Sequence, residues 1–147
     1  FCMKSERNMR IHTVAAVYIL FFAPFLQVSR GEFAILLAVI AAMLTSEAFN
    51  TAIEKLCDYT CRNQNRFIGT IKDISAGAVF ISALFAVGIG LVVLCKPIEL
   101  WALIRNIAGS PLYILALVFS FCAALVYIIK GPLGIKRGFH RLFNKTE

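Results

Sequence analysis

Residues 47–58 read Glu-Ala-Phe-Asn-Thr-Ala-Ile-Glu-Lys-Leu-Cys-Asp, and they follow an apolar run, residues 33–44, without an intervening glycine or proline. We therefore interpret both pieces as one helix. Residues three or four positions apart share a helix face. The polar residues of the stretch accordingly form one narrow stripe: Glu47, Asn50, Glu54 and Asp58. A line of carboxylates thus enters a hydrophobic helix from one end.

The composition places this helix in a membrane. Hydrophobic residues make up 60% of the 147 residues, and the mean hydropathy is +0.81, well above the range of soluble domains. Several apolar runs approach bilayer-spanning length. The chain is therefore predicted to be an all-α integral membrane protein, which excludes water-soluble classes. The net charge of +7 is not spread over a basic surface interleaved with aromatic residues, so no nucleic-acid partner is expected.

Glu47 is the deepest carboxylate of the stripe. A charged carboxylate at mid-bilayer costs about 2.5–3.5 kcal/mol on insertion scales, and such residues usually face a bundle interior and serve a function. The alternative is a protonated Glu47 beside an Asn50 that only hydrogen-bonds between helices. Four polar groups in register favour the functional interpretation. The depth of Glu47 suits it to proton transfer.

Four membrane helices are predicted, over residues 13–28, 33–58, 71–95 and 112–129. Residues 1–96 would form a core with three of these helices. Residues 97–147 would add an amphipathic connector, a fourth helix and a basic tail. Trp101 in the connector suits a membrane interface. The fourth helix carries no Asp, Glu, Lys, Arg or His, so we assign it a packing or anchoring role.

The basic residues predict the topology. With four spans, twelve of the 15 Lys and Arg residues fall on the side of both termini, and three fall on the other side. The twelve are Lys4, Arg7, Arg10, Lys55, Arg62, Arg66, Lys72, Lys130, Lys136, Arg137, Arg141 and Lys145. Because positive charges collect on the inner side of a membrane, both termini are predicted to be cytoplasmic. The carboxylate stripe then lies where ATP is available.

Three segments resemble the prokaryotic diacylglycerol kinase family of small membrane lipid kinases, whose Gram-positive branch contains the undecaprenol kinases. Residues 47–58 resemble the family signature. Residues 72–79 (Lys-Asp-Ile-Ser-Ala-Gly-Ala-Val) are similar to its Lys-Asp motif, which opens the next helix. Residues 6–12 (Glu-Arg-Asn-Met-Arg-Ile-His) resemble its entry to the first membrane helix. The similarity covers about residues 4–95, in the family's order.

The resemblance implies Mg²⁺- and ATP-dependent phosphorylation of a membrane lipid alcohol, undecaprenol first and diacylglycerol as the alternative. It also implies a homotrimer in a bacterial cell membrane, with sites shared between subunits. Within it, Glu47 matches the general base, and Glu6 and Glu54 match the metal-binding pair. These two carboxylates line the nucleotide site with three further residues: Asn50, Lys72 and Asp73. Asp58 completes the signature and would cap the helix or order the loop.

Two features depart from the family pattern. Residues 59–70 are basic, with Asn65 where the family has a histidine, and most of the surface helix that precedes the first span is missing. No P-loop or protein-kinase motif is present. The five cysteines (2, 57, 61, 95 and 122) show no metal-site or disulfide pattern and are predicted to be reduced.

Two other classes remain open at this point. A small proton-coupled multidrug transporter could also have four short helices and one buried Glu, but its ionisable groups should lie at the midplane. Here they gather at one face of the membrane. The third hypothesis is a structural membrane protein with a degenerate site, which the altered loop keeps open.

Overall fold

The computed structural model describes residues 2–60 and 65–143, which are almost entirely α-helical. The elements are α1 (Cys2–Ser5), α2 (Arg7–Phe22), a 3₁₀ turn (Ala23–Leu26), α3 (Arg30–Thr60), α4 (Arg66–Leu94), α5 (Pro97–Ala108) and α6 (Pro111–Phe143). Four segments are long and apolar enough to cross a membrane: Arg7–Leu26, Arg30–Thr60, Arg66–Leu94 and Pro111–Lys136. The predicted all-α membrane fold, with a fourth helix after a three-helix core, is confirmed.

All four membrane helices begin before the apolar runs that predicted them, and α3 and α6 also end after theirs, whereas the first helix ends at Phe22, before a 3₁₀ turn, rather than at residue 28. The first helix begins at Arg7 rather than residue 13, and α4 begins at Arg66 rather than residue 71. Asn65 starts α4, since its side chain accepts a hydrogen bond from the Phe67 amide at 2.9 Å, as an N-cap residue does. Hydropathy marks the part of a helix that lies in lipid, and polar turns at either end continue it. Residues 61–64, including Cys61, and residues 144–147 of the tail lie outside the described residues.

Helices α3 and α4 form an antiparallel pair that organises the bundle. The 31 residues of α3 correspond to about 46 Å of helix, longer than a hydrocarbon core of about 30 Å, so α3 projects beyond it. At one end of the pair, Ala23, Leu36 and Val93 form a small apolar cluster. There, Lys96 Nζ donates to a Glu32 carboxylate oxygen at 3.0 Å and to the Gln27 carbonyl at 3.2 Å.

Three glycines of α4 do not mediate packing against other parts of the described chain. A Cβ added at Gly77, Gly88 or Gly90 would meet no atom within 4 Å. Small residues allow close helix approach in membranes, but these three glycines mediate none among the described residues. The buried stripe of α4 runs instead through Ser75 and Val93.

Helix α6 contacts α1 and α2 at one end of the bundle and α5 near the other. A hydroxyl pair, Tyr18 and Ser120, joins α2 to α6 at 2.5 Å, beside an apolar cavity of about 1090 Å³ bounded by α2, α5 and α6. Helix α6 is broken at Gly131 (φ 64°, ψ 172°), next to Pro132. Trp101 on α5 is exposed, in keeping with an interfacial helix.

Candidate functional site

Glu47 is the most buried charged residue of α3, with only 2% of its surface exposed. Its Oε2 atom is fully buried and has no hydrogen-bond partner within residues 2–60 and 65–143. An unpartnered polar atom in a buried position costs about 1–3 kcal/mol, and more for a charged group. Glu47 does not use this oxygen to hold helices together within the described residues. The free oxygen of Glu47 is therefore available to a proton or a ligand.

Asn50 lies one turn from Glu47 and connects α3 to α4. Its Oδ1 accepts a hydrogen bond from Ser75 Oγ, and its Nδ2 donates to Glu54 Oε1 at 3.2 Å. Ser75 Oγ also contacts the Lys72 carbonyl at 3.2 Å. Asn50 is thus the interhelical link that the alternative interpretation expected. It also orients Glu54, because the Ser75 contact fixes which way the amide points.

Glu6 reaches this cluster from the amino-terminal segment. It occupies an extended junction (φ −96°, ψ 122°) between α1 and α2, and its Oε1 lies 3.5 Å from Lys55 Nζ. Glu54 and Glu6 both lie close enough to Glu47 to repel its carboxylate electrostatically. Three carboxylates, two from α3 and one from the junction, therefore converge at one end of the bundle.

Lys72 and Asp73 are neighbours in sequence but lie on different faces of α4. Lys72 Nζ forms an ion pair with Asp58 Oδ1 at 2.5 Å, which ties the end of α3 to the first turns of α4. Asp58 thus has a partner across the loop rather than a capping role alone. Asp73 is exposed, because successive helix residues are about 100° apart. The structure brings together Glu6, Glu47, Asn50, Glu54 and Lys72, and leaves Asp73 on the outer face.

Three residues near the cluster were not singled out from the sequence. Ser75 follows Lys72 by three positions, so the same-face rule was a usable signal. Thr51 is buried on α3 beside Asn50, four positions after Glu47, so the same rule also applied to it. Lys55 gave no signal, because its partner Glu6 belongs to a distant segment.

The donor set suits Mg²⁺ bound together with a nucleotide. Where the structure describes the chain, no group of three or more His, Cys, Asp or Glu residues is placed to hold a metal ion. Mg²⁺ commonly takes one or two carboxylates and completes its coordination with water and phosphate oxygens. Glu6 and Glu54 offer such a pair. The four described cysteines are free thiols.

Comparisons of the sequence with known proteins indicate a family of membrane lipid kinases. The family model described as "Prokaryotic diacylglycerol kinase" matches residues 1–94. The chain is 31% identical over 99 residues to a diacylglycerol kinase of Synechocystis, covering 67% of this chain and 57% of that protein. It is 32% identical over 90 residues to the undecaprenol kinase of Bacillus subtilis, covering 61% of this chain and 73% of that protein. No significant match to a solved structure was found.

Proposed function

The chain belongs to the prokaryotic diacylglycerol kinase family, and we propose that it transfers the γ-phosphoryl group of ATP to a membrane lipid alcohol, with undecaprenol as the preferred acceptor. The matched region spans only 57% of the Synechocystis relative, so the proposal rests on the residues of the site. One observation carries it: a buried Glu47 oxygen without a partner, at the end of the bundle where two more carboxylates converge.

Glu47 is proposed as the general base. Its carboxylate takes the proton of the lipid hydroxyl while the hydroxyl oxygen forms a bond to the γ-phosphorus. The bond between that phosphorus and the bridging oxygen of ATP breaks, and ADP leaves with the electron pair. A positioned base contributes about 10²–10⁴-fold in rate. The buried, partnerless oxygen supports this role, because no described group competes for the proton.

The neighbouring residues are proposed to position the nucleotide. Glu6 and Glu54 would hold Mg²⁺, which would neutralise charge on the phosphates. Asn50 keeps the Glu54 carboxylate in place through its amide. Lys72 would place a positive charge near the phosphates, and its pairing with Asp58 leaves two of its three ammonium hydrogens for phosphate oxygens.

Undecaprenol is the proposed acceptor, and diacylglycerol is the alternative. Residues 6–12 and 47–58 resemble the Gram-positive branch more closely. The chain also covers 73% of the undecaprenol kinase but 57% of the diacylglycerol kinase, at nearly equal identity. Both lipids present a hydroxyl at the interface, so the apolar part of the substrate must decide the preference.

The reaction is proposed to take place at the cytoplasmic face of a bacterial cell membrane, with both termini on that side. Twelve of the 15 basic residues fall on this side, and the carboxylate cluster lies at the same end of the bundle as α1. A proton-coupled transporter is disfavoured by this placement, because its ionisable groups should lie near the midplane.

We further propose that the protein is a homotrimer with α3 at its core and α6 at the periphery. Asp73 supports a site that is shared between subunits. It lies on the outer face of α4, so it can reach a carboxylate cluster only in a neighbouring subunit or by contacting the bound nucleotide. Gly77 and Gly88, which share one face of α4 and pack against no described residue, suit a neighbouring helix. Crosslinking in native-like bilayers should trap trimers. Trapping only monomers or dimers would contradict the assembly.

The function is tested by phosphoryl transfer from radiolabelled ATP in one detergent system, with undecaprenol and diacylglycerol as separate acceptors. We expect lipid-dependent ATP consumption and faster turnover with undecaprenol. Glu47→Gln is the matched inactive control. If ATP consumption does not depend on any lipid alcohol, the kinase proposal is wrong. If diacylglycerol reacts as fast or faster, only the acceptor is wrong.

A further inference from the structure

Arg10 is a buried cation whose partners lie on two other helices. It occupies the first turn of α2 and is 6% exposed. Its Nε donates to the Ile128 carbonyl at 3.0 Å, and its Nη1 donates to the Lys4 carbonyl at 3.4 Å. A guanidinium group is buried at acceptable cost only where its donors are satisfied. One side chain therefore holds α2 to both α1 and α6.

The Ile128 carbonyl is available because of Pro132. In an α-helix the carbonyl of residue 128 accepts from the amide of residue 132, and proline has no amide hydrogen. The backbone at Gly131 (φ 64°, ψ 172°) also leaves the helical region. Arg10 Nε therefore donates to the Ile128 carbonyl the hydrogen bond that Pro132 cannot donate.

Gly131 makes room for the guanidinium. It is buried, and a Cβ at this position would lie 3.1 Å from Arg10 Nη1 and 3.2 Å from Arg10 Cζ. Its φ and ψ fall in a region that is essentially restricted to glycine. Arg10, Ile128, Gly131 and Pro132 thus form one fitted contact, named here the Arg10–kink contact.

We propose that α6 positions the carboxylate of Glu6 through the Arg10–kink contact. Glu6 sits in the extended junction between α1 and α2, and Arg10 engages both sides of that junction: it belongs to α2 and binds the Lys4 carbonyl of α1. Fixing the junction fixes where the Glu6 carboxylate reaches, beside Lys55 and near Glu47. Arg10 is a positioning residue, and the proposal rests on the proposed function for the role of Glu6.

The inference gives the fourth helix a role beyond anchoring. Helix α6 lies outside residues 1–94, the region matched by the family model. The contact therefore adds to the three-helix core a support that begins more than 30 residues beyond it in the chain. If the Arg10–kink contact only stabilised the fold, its loss would affect folding alone. If it positions Glu6, its loss should also change metal–nucleotide binding.

The test uses the full chain in lipid nanodiscs and measures binding of Mn²⁺ with a non-hydrolysable ATP analogue by EPR, a readout independent of turnover. Arg10→Gln should weaken binding about tenfold, the size expected when a partner that orients a metal ligand is lost. Pro132→Ala should weaken it in the same direction without threatening the fold, because a restored amide draws the Ile128 carbonyl back into the helix. Arg7→Gln removes an exposed cation from the same turn and should change binding less than about twofold.

Two double variants locate the effect. In a Glu6→Gln background, Arg10→Gln should weaken Mn²⁺–nucleotide binding by less than about a further twofold, because Arg10 acts through Glu6. The double variant Arg10→Gln with Pro132→Ala should bind no more weakly than either single variant, because both changes remove the same contact. The proposal is overturned if Arg10→Gln matches Arg7→Gln, if its effect persists without Glu6, or if it lowers only the melting temperature. A wild-type protein that binds no Mn²⁺–nucleotide overturns it together with the proposed metal site. Normal binding without phosphorylation of either lipid overturns only the proposed reaction.

Discussion

The two ends of the α3–α4 pair differ in whether their charged side chains have partners. At the apolar end, Leu36 and Val93 pack on Ala23, and the nearby Lys96 is paired with Glu32. At the carboxylate end, defined by Glu6, Glu47, Asn50 and Glu54, a fully buried oxygen of Glu47 has no described partner.

The two ends of this helix pair therefore serve different purposes, stability at one end and function at the other. At the apolar end, the groups named above are packed or paired, as expected of a region that contributes only stability. The carboxylate end tolerates an unfavourable buried atom, and such exceptions mark functional positions. Mutations at the two ends should therefore have different consequences, and the following predictions are ordered from the largest expected effect to the smallest.

Glu47→Gln should cause the largest loss, about 10²–10⁴-fold in kcat, because an amide cannot accept the substrate proton. Nucleotide affinity should stay nearly constant. Thermal stability should not fall, since a neutral amide costs less to bury than a carboxylate. Steady-state kinetics and a thermal melt check this directly. A variant that loses stability in proportion to its activity would show that Glu47 is structural.

Glu54→Gln should instead raise the Mg²⁺ concentration that gives half-maximal activity, by about tenfold or more. A direct metal ligand should contribute at least as much as an outer partner, whose loss costs about 10–100-fold in affinity. Extra Mg²⁺ should restore part of the activity. A magnesium titration of both carboxylate variants decides between them: rescue of Glu47→Gln but not of Glu54→Gln would mean that the roles are reversed.

Leu36→Ala should affect stability and spare the chemistry. Leu36 is 3% exposed within the apolar cluster. Replacing a buried leucine by alanine lowers the free energy of unfolding by about 2–5 kcal/mol in water-soluble cores. We expect the lower end, about 2 kcal/mol, because lipid already surrounds apolar groups in the separated state. Denaturant titration in micelles measures the loss. Leu37→Ala, at a neighbouring position that is 44% exposed, should lose much less, and equal losses would contradict the assignment of the cluster.

Lys96→Met should have the smallest effect. Its two contacts, to Glu32 and to the Gln27 carbonyl, are partly exposed, and exposed ion pairs are worth about 0.2–1 kcal/mol. Activity should remain within the error of the wild type, and the melting temperature should fall by only a few degrees. A large loss of stability would mean that the ion pair, rather than the apolar cluster, holds this end.

The sequence predicted the fold and most of the cluster because both depend on short-range regularities. Glu47, Asn50, Glu54 and Asp58 share a face through helix geometry alone, and apolar runs located all four spans. Helix ends were predicted less well, since polar turns such as residues 7–12 carry no hydropathy signal. The roles of Glu47, Glu6 and Glu54 remain predictions that the proposed variants test.

The sequence by itself determined the helices, the order of the carboxylates along α3 and the membrane setting, because these follow from composition and the 3.6-residue period. Only the tertiary structure decided which residues meet across the chain. It placed Glu6 beside Lys55, turned Lys72 toward Asp58 while Asp73 faced outward, and brought Arg10 to the Gly131 break in α6. Such pairings join residues that are distant in the chain, and they depend on how the helices pack together, which no local pattern encodes.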